Sequence, residues 1–488
     1  MTVHSRTLSF EHKRNSSVMC MVFLAFFAWH SPLSADPFEK APPAFDQDNR
    51  HFVPINILSM HTSYIFDIAQ AKALGESNFI FETKEDGLPL FDVVSRVTTL
   101  ILDEQELAPS DLLTIDDPGN QTTLRSINAT VSAGQQHTVR IRFELTNGVE
   151  FATNKLKVGF FTSDLTVGGR TYFESFGVSN LEFDQFPHEI STKIVGGDGR
   201  YELMTNGAKT LLADQHWKIV YPSYFNCASL YFHIIDKNRF TIRQTNYQGL
   251  SALIPVTSYA ENPADADRGL AGVQRFLKEL EASFGPYAHQ QALAYITPTG
   301  GGMEYAGATI TSLWALGHEF THSWFARGVM PADGNSGWID EAIASWRDNS
   351  YVRDSDAKPS TKFRLSGFPD FRRHTTMRAY DHGANVISSL DRLFAGPNSA
   401  ASEQNGMRPV LKKLFGDYHR NTISVGIFQK FLEEQTGINL RTFFQDYVFA
   451  PNPLQNDLQD MDETIFQNFA NPTQHPRKFS KEELRRFL

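Results

Sequence analysis

The sequence predicts an α+β chain of several domains, with strands first and helices after. Three observations carry that expectation. From about Asp46 to Ile254, short β-branched and aromatic runs alternate with turn residues. After about Ser258 the apolar residues recur at helical spacing instead. The chain has 488 residues, of which 41% are hydrophobic, 20% charged and 40 phenylalanine, a globular composition able to build more than one core.

The strand signals are NFIFE at Asn78–Glu82, HTVRIRFEL at His137–Leu145, KLKVGFFT at Lys155–Thr162, and shorter runs at His216–Val220 and Arg239–Arg243. Turn chemistry at Asp117-Pro-Gly-Asn, Asn147-Gly, Gly168-Gly and Gly196-Gly-Asp-Gly separates them. Such spacing predicts an antiparallel β-sandwich or saddle-shaped sheet. Leu270, Val273, Phe276, Leu277 and Leu280 then mark a helix over Asp265–Phe284, stopped by Gly285-Pro286. A short strand at Ala292–Ile296 and a glycine turn at Gly300-Gly-Gly follow. Helices are expected over Thr311–Arg327 and Ile339–Val352, and again, with breaks, from Gly383 to Phe449.

The first 35 residues predict an address. Arg6, Lys13 and Arg14 precede the twelve largely apolar residues Val18–Trp29, and Pro32, Ser34 and Ala35 end the run. That order is a secretory signal peptide cleaved near Ala35, too short for a membrane span, and it places the protein in a periplasm or outside the cell. The net charge of −10 argues against nucleic acid as partner. Two cysteines, Cys20 and Cys227, exclude a disulfide scaffold; Cys227 reads as a small core residue.

The chemistry concentrates at His318-Glu319-Phe320-Thr321-His322, an H-E-x-x-H on a predicted helix. Residues four apart share a helix face, so His318 and His322 can hold one zinc ion. Glu319 can reach a metal-activated water without ligating the metal, the place of a general base. With 16 histidines in the chain, such a motif arises by chance only ~0.03 times. A third ligand is needed. Glu341 supplies it in the first turn of a second helix, after a turn-rich link that folds this helix back beside the first. His374, His382 and His419 read as ordinary surface or core histidines.

H-E-x-x-H followed by eighteen residues and Glu341 resembles the M1 family of zinc metallopeptidases, among the gluzincins. Gly301-Gly302-Met303-Glu304-Tyr305 is similar to the family's Gly-Ala-Met-Glu-Asn exopeptidase motif, and Tyr380-Asp-His-Gly-Ala resembles its Tyr-Glu-Lys-Gly-Ala segment. The resemblance covers residues 60–455. With the leader at 1–35 set aside, the expected organisation is an N-terminal β domain at 36–256, a thermolysin-like zinc catalytic domain at 257–395, and a short C-terminal helical region with a tail at 396–488. The resemblance implies one zinc ion per chain and peptides with a free N-terminus as substrates. Tyr380 would stabilise the oxyanion, Glu304 would bind the α-amino group, and Gly301, Gly302 and Met303 would lie along the substrate. Glu174 and Gln185 are candidates for a second polar group at the amino-group site.

Two departures bear on the pocket: Gly302 stands for the motif's alanine and Tyr305 for its asparagine. The expected function is therefore a zinc aminopeptidase. The alternatives are an M61-like glycyl aminopeptidase, or a non-catalytic zinc-binding protein of the same fold.

Overall fold

The computed structural model describes residues 36–450, apart from 117–122, 153–154, 163–172, 397–398, 400–401 and 403. The expected leader at 1–35, the tail beyond 450, and the turns at Asp117 and Gly168 lie outside the described residues. No described helix is long and apolar enough to cross a membrane.

Strands do dominate the first half, in a curled twelve-stranded sheet and a four-stranded one. The long strand Arg50–Asp67 is the spine of the larger sheet. It pairs antiparallel with Lys72–Thr83 and parallel with His188–Val195. Its even-numbered side chains Met60, Thr62, Tyr64 and Phe66 are buried while His61 and Ile65 face solvent, the period-2 alternation of a sheet covered on one side. The smaller sheet joins Val149–Ala152, Lys155–Gly159, Phe232–Asp236 and Tyr201–Thr205. Phenylalanine fills the space between them: the Phe160 ring stacks on Phe232 at 4.7 Å and on Phe176 at 4.9 Å, against Tyr64 at 5.1 Å. Cys227 is 2% exposed in the same core, and burial pushes its thiol far above the ordinary range.

A third, mixed sheet of five strands runs in the order Thr241–Gln248, Leu253–Ala260, Ala292–Thr297, Ala308–Ser312, Gly302–Tyr305. The middle three are parallel, and Gly302–Tyr305 pairs antiparallel at the edge. The Pro263–Phe284 helix covers this sheet with Val273, Phe276, Leu277 and Leu280, the periodic residues read from the sequence. Asn262 caps it, its side chain accepting from the Ala264 amide.

Two helix boundaries differ from expectation. Thr311 and Ser312 belong to the Ala308–Ser312 strand, paired with Gly302 and Thr297, and the helix behind them is only Leu316–Thr321. The sheet ladder claims the residues that an apolar pattern alone assigns to a helix. The second helix is Trp338–Asp348, ending four residues before Val352. Beyond it lie the helices Ala384–Ala395, Met407–Tyr418, Val425–Thr436 and Arg441–Tyr447, a short C-terminal helical part.

Candidate metal and peptide site

The short Leu316–Thr321 helix lies between the edge strand of the mixed sheet and the Trp338–Asp348 helix, and all six of its residues are buried. The Glu341 carboxylate Oε2 comes to 3.1 Å from His318 Nε2 and 3.4 Å from His322 Nε2. Ligand atoms of the three residues all lie within 4.8 Å of one another. Tetrahedral zinc with bonds of ~2.0–2.1 Å separates its ligand atoms by ~3.3 Å, close to the two distances from Glu341 to the imidazoles, so the donor set suits that ion.

Each imidazole is aimed from behind. Asp348 Oδ2 bonds His318 Nδ1 at 2.6 Å, and His322 Nδ1 bonds the Phe325 carbonyl at 3.0 Å. Holding Nδ1 leaves Nε2 as the atom that could ligate a metal in both. Asp348 stands seven residues after Glu341, about two turns on, and therefore on the same helix face. Arg347 anchors it in turn, reaching Asp348 at 3.1 Å and gripping Glu279 of the Pro263–Phe284 helix through two bonds of 2.9 and 2.8 Å. Burial lowers the His318 pKa, but Asp348 and Glu341 raise it further, to about 10. A cation and a proton thus compete for the same nitrogen.

Glu319 sits inside this cluster, 1% exposed, and forms a second, overlapping group with Glu304 and His322. Tyr380 approaches from the other side, on a single π-helical turn, Ala379–Gly383, that leads into the Ala384–Ala395 helix. Its hydroxyl donates to Glu341 Oε1 at 2.9 Å. Residues distant in sequence therefore converge: His318, Glu319, His322, Glu341 and Tyr380 share one buried space.

The edge strand Gly302–Tyr305 forms the wall. Side chains two apart in a strand share a face, so Gly302 and Glu304 look toward the Leu316–Thr321 helix while Met303 and Tyr305 look away. Tyr305 is fully buried in a separate aromatic cluster, 5.0 Å from the Tyr231 ring, and its hydroxyl bonds the backbone of Thr162. Its side chain therefore faces away from Glu304. Gly301 accepts from the Ser312 amide at 3.0 Å, which fixes the strand's start.

Glu304 is paired with a residue that the sequence does not single out. Arg327 reaches its Oε1 at 3.1 Å and its carbonyl at 3.4 Å, and both side chains are buried. Asp340, beside Glu341, belongs to the same electrostatic neighbourhood. Burial raises its pKa to about 7, with Glu341 and Glu304 adding to the rise and His322 and Arg327 opposing it. Glu174 and Gln185 are engaged elsewhere: Glu174 with Arg373 and Ser179, Gln185 with the carbonyls of Tyr224 and Arg420. Neither potential ligand group among the described residues includes His374, His382 or His419.

No protein-family model matches the chain, and no curated protein does. By three-dimensional structure it is similar to an M1 zinc metallopeptidase from Deinococcus radiodurans, with a TM-score of 0.56 and 15% identity over 82% of this chain and 96% of that one. The fold is that of the M1 zinc metallopeptidases. Legionella pneumophila aminopeptidase A, in complex with aspartic acid, matches with a TM-score of 0.58 at 14% identity, over 81% of this chain and 49% of its own. Native yeast LTA4 hydrolase matches with a TM-score of 0.53 at 14% identity, over 82% of this chain and 69% of its own. The chain thus spans about half the length of the Legionella protein.

Proposed function

We propose that this chain is a secreted or periplasmic zinc aminopeptidase that removes single residues from peptides with a free N-terminus. One observation carries the reading: two imidazole Nε2 atoms and a carboxylate converge at 3.1 and 3.4 Å under an edge strand that presents Glu304. His318, His322 and Glu341 would hold the ion. When bound, zinc acidifies a water and polarises a carbonyl.

The remaining roles belong to the chain. Glu319 takes the water's proton and passes it to the leaving amine. Tyr380 donates a hydrogen bond from its hydroxyl to the developing oxyanion, work for which a neutral phenol is suited. Glu304 pairs with the peptide's ammonium, a charge-assisted contact that sets which bond lies over the base. Because Arg327 already holds Glu304, the ammonium meets one arm of an ion pair and not a lone charge. The antiparallel edge strand offers its backbone to an extended substrate. The aspartic acid bound to the Legionella protein is consistent with amino-acid recognition on this fold.

Purified protein assayed with aminoacyl reporter substrates tests the reading. Turnover should vanish with a chelator, return with zinc, and be absent on N-terminally blocked peptides. Chelator-insensitive turnover, or equal cleavage of blocked peptides, would overturn it. Tyr380→Phe is expected to lower kcat by about 10²–10³-fold with bound zinc unchanged. A variant losing its zinc as well would show that the hydroxyl serves Glu341 and not the oxyanion.

A further inference from the structure

Gly302 has no side chain, and the structure gives a specific reason. Its backbone lies in an ordinary strand, paired with Thr311, at a φ any residue adopts, so conformation does not demand glycine. Space does. A Cβ built at Gly302 would lie 2.3 Å from Glu319 Cγ, 2.4 Å from Cδ and 2.5 Å from Oε1, distances at which atoms overlap. Glu319 is 1% exposed and lies in one buried group with Glu304 and His322, beside the edge strand, and a tightly packed side chain displaced from its place disturbs its neighbours.

We propose that Gly302 is the positioning residue for Glu319: the missing methyl is the socket in which the base rests. This rests on the aminopeptidase reading for the role of Glu319, and goes beyond it in assigning what holds the base in place. It also gives the departure from the Gly-Ala-Met-Glu-Asn motif a physical meaning, because here the alanine's place is taken by the base. Restoring the motif's own residue should harm this chain.

The test is a double-mutant cycle with activity read beside it. Gly302→Ala is expected to lower kcat by about 10²-fold, the cost of a misplacement near 1 Å, with KM and zinc content little changed. Its urea midpoint should fall in the wild-type background. In the Glu319→Ala background the same substitution should leave the midpoint unchanged or raise it, since the obstructing side chain is gone and the unfolded chain loses freedom. Gly302→Ser should repeat the pattern with a larger loss. An unchanged kcat in Gly302→Ala, or an equal fall in midpoint in both backgrounds, would overturn the proposal. Wild-type protein inert toward every unblocked peptide would sink the aminopeptidase reading instead; the cycle reads the contact itself without turnover.

Discussion

Glu319→Gln is expected to lower kcat by about 10²–10⁴-fold, the share a positioned general base contributes, while the protein stays folded and keeps its metal. Glutamine has the same shape, so the close approach of Gly302 to the side chain is preserved. What it lacks is the ability to take a proton. In the proposed arrangement His318, His322 and Glu341 hold the ion and Glu319 does not, so metal content should not change. Measuring kcat and bound zinc on the same preparation decides the matter. A variant with wild-type kcat would exclude the base, and a variant that lost both zinc and activity would make Glu319 a ligand. Equal falls in kcat and kcat/KM would mark an interaction made only in the transition state.

The site was legible in sequence where it depends on local spacing, and hidden where it depends on the tertiary fold. His318 and His322 are four apart, and a helix alone brings them together. Glu341 needed only a turn-rich link and a second helix, and Glu304 an edge strand close by. Asp348 carried a readable signal, seven residues after Glu341 on one helix face, but nothing local says that a carboxylate there bonds His318. Arg327 and Glu304 are 23 residues apart and meet because the chain turns back after His322. Helix ends failed for a different reason: Thr311 and Ser312 satisfy an apolar helical pattern, yet their backbone groups complete a parallel strand pair, and ladder bonds outweigh the weak propensity of single residues. What Tyr305 does could not be read from the motif alone; strand alternation turns it away from Glu304 into an aromatic cluster.

One buried long-range contact among the described residues could not be read from sequence at all, and it carries a large expected effect on stability. Arg373, on the segment before Tyr380, donates to Glu182 at 2.7 Å, Asp92 at 2.8 Å and Glu174 at 3.2 Å, partners 191 to 281 residues away. All four side chains are buried. One guanidinium thus serves three carboxylates that tie the first half of the chain to the segment leading into Tyr380. Arg373→Met should cost about 3–5 kcal/mol at pH 7, because buried charges lose their partner and not merely an attraction. Arg373→Lys should recover part of this, since a single ammonium cannot fork to three acceptors.

The pH dependence follows with a definite sign. Burial raises the Glu182 pKa above the ordinary carboxylate value, and Arg373 opposes that rise. Where the native value exceeds the unfolded one, the native state holds a proton that the unfolded state has released, so stability falls as pH climbs between the two. Removing Arg373 removes the opposition and moves the native value higher, which widens the window. Urea unfolding of Arg373→Met should therefore show a deficit that shrinks from pH 7 toward pH 5. Parallel stability curves for variant and wild type across that range would mean that Glu182 does not sense the guanidinium.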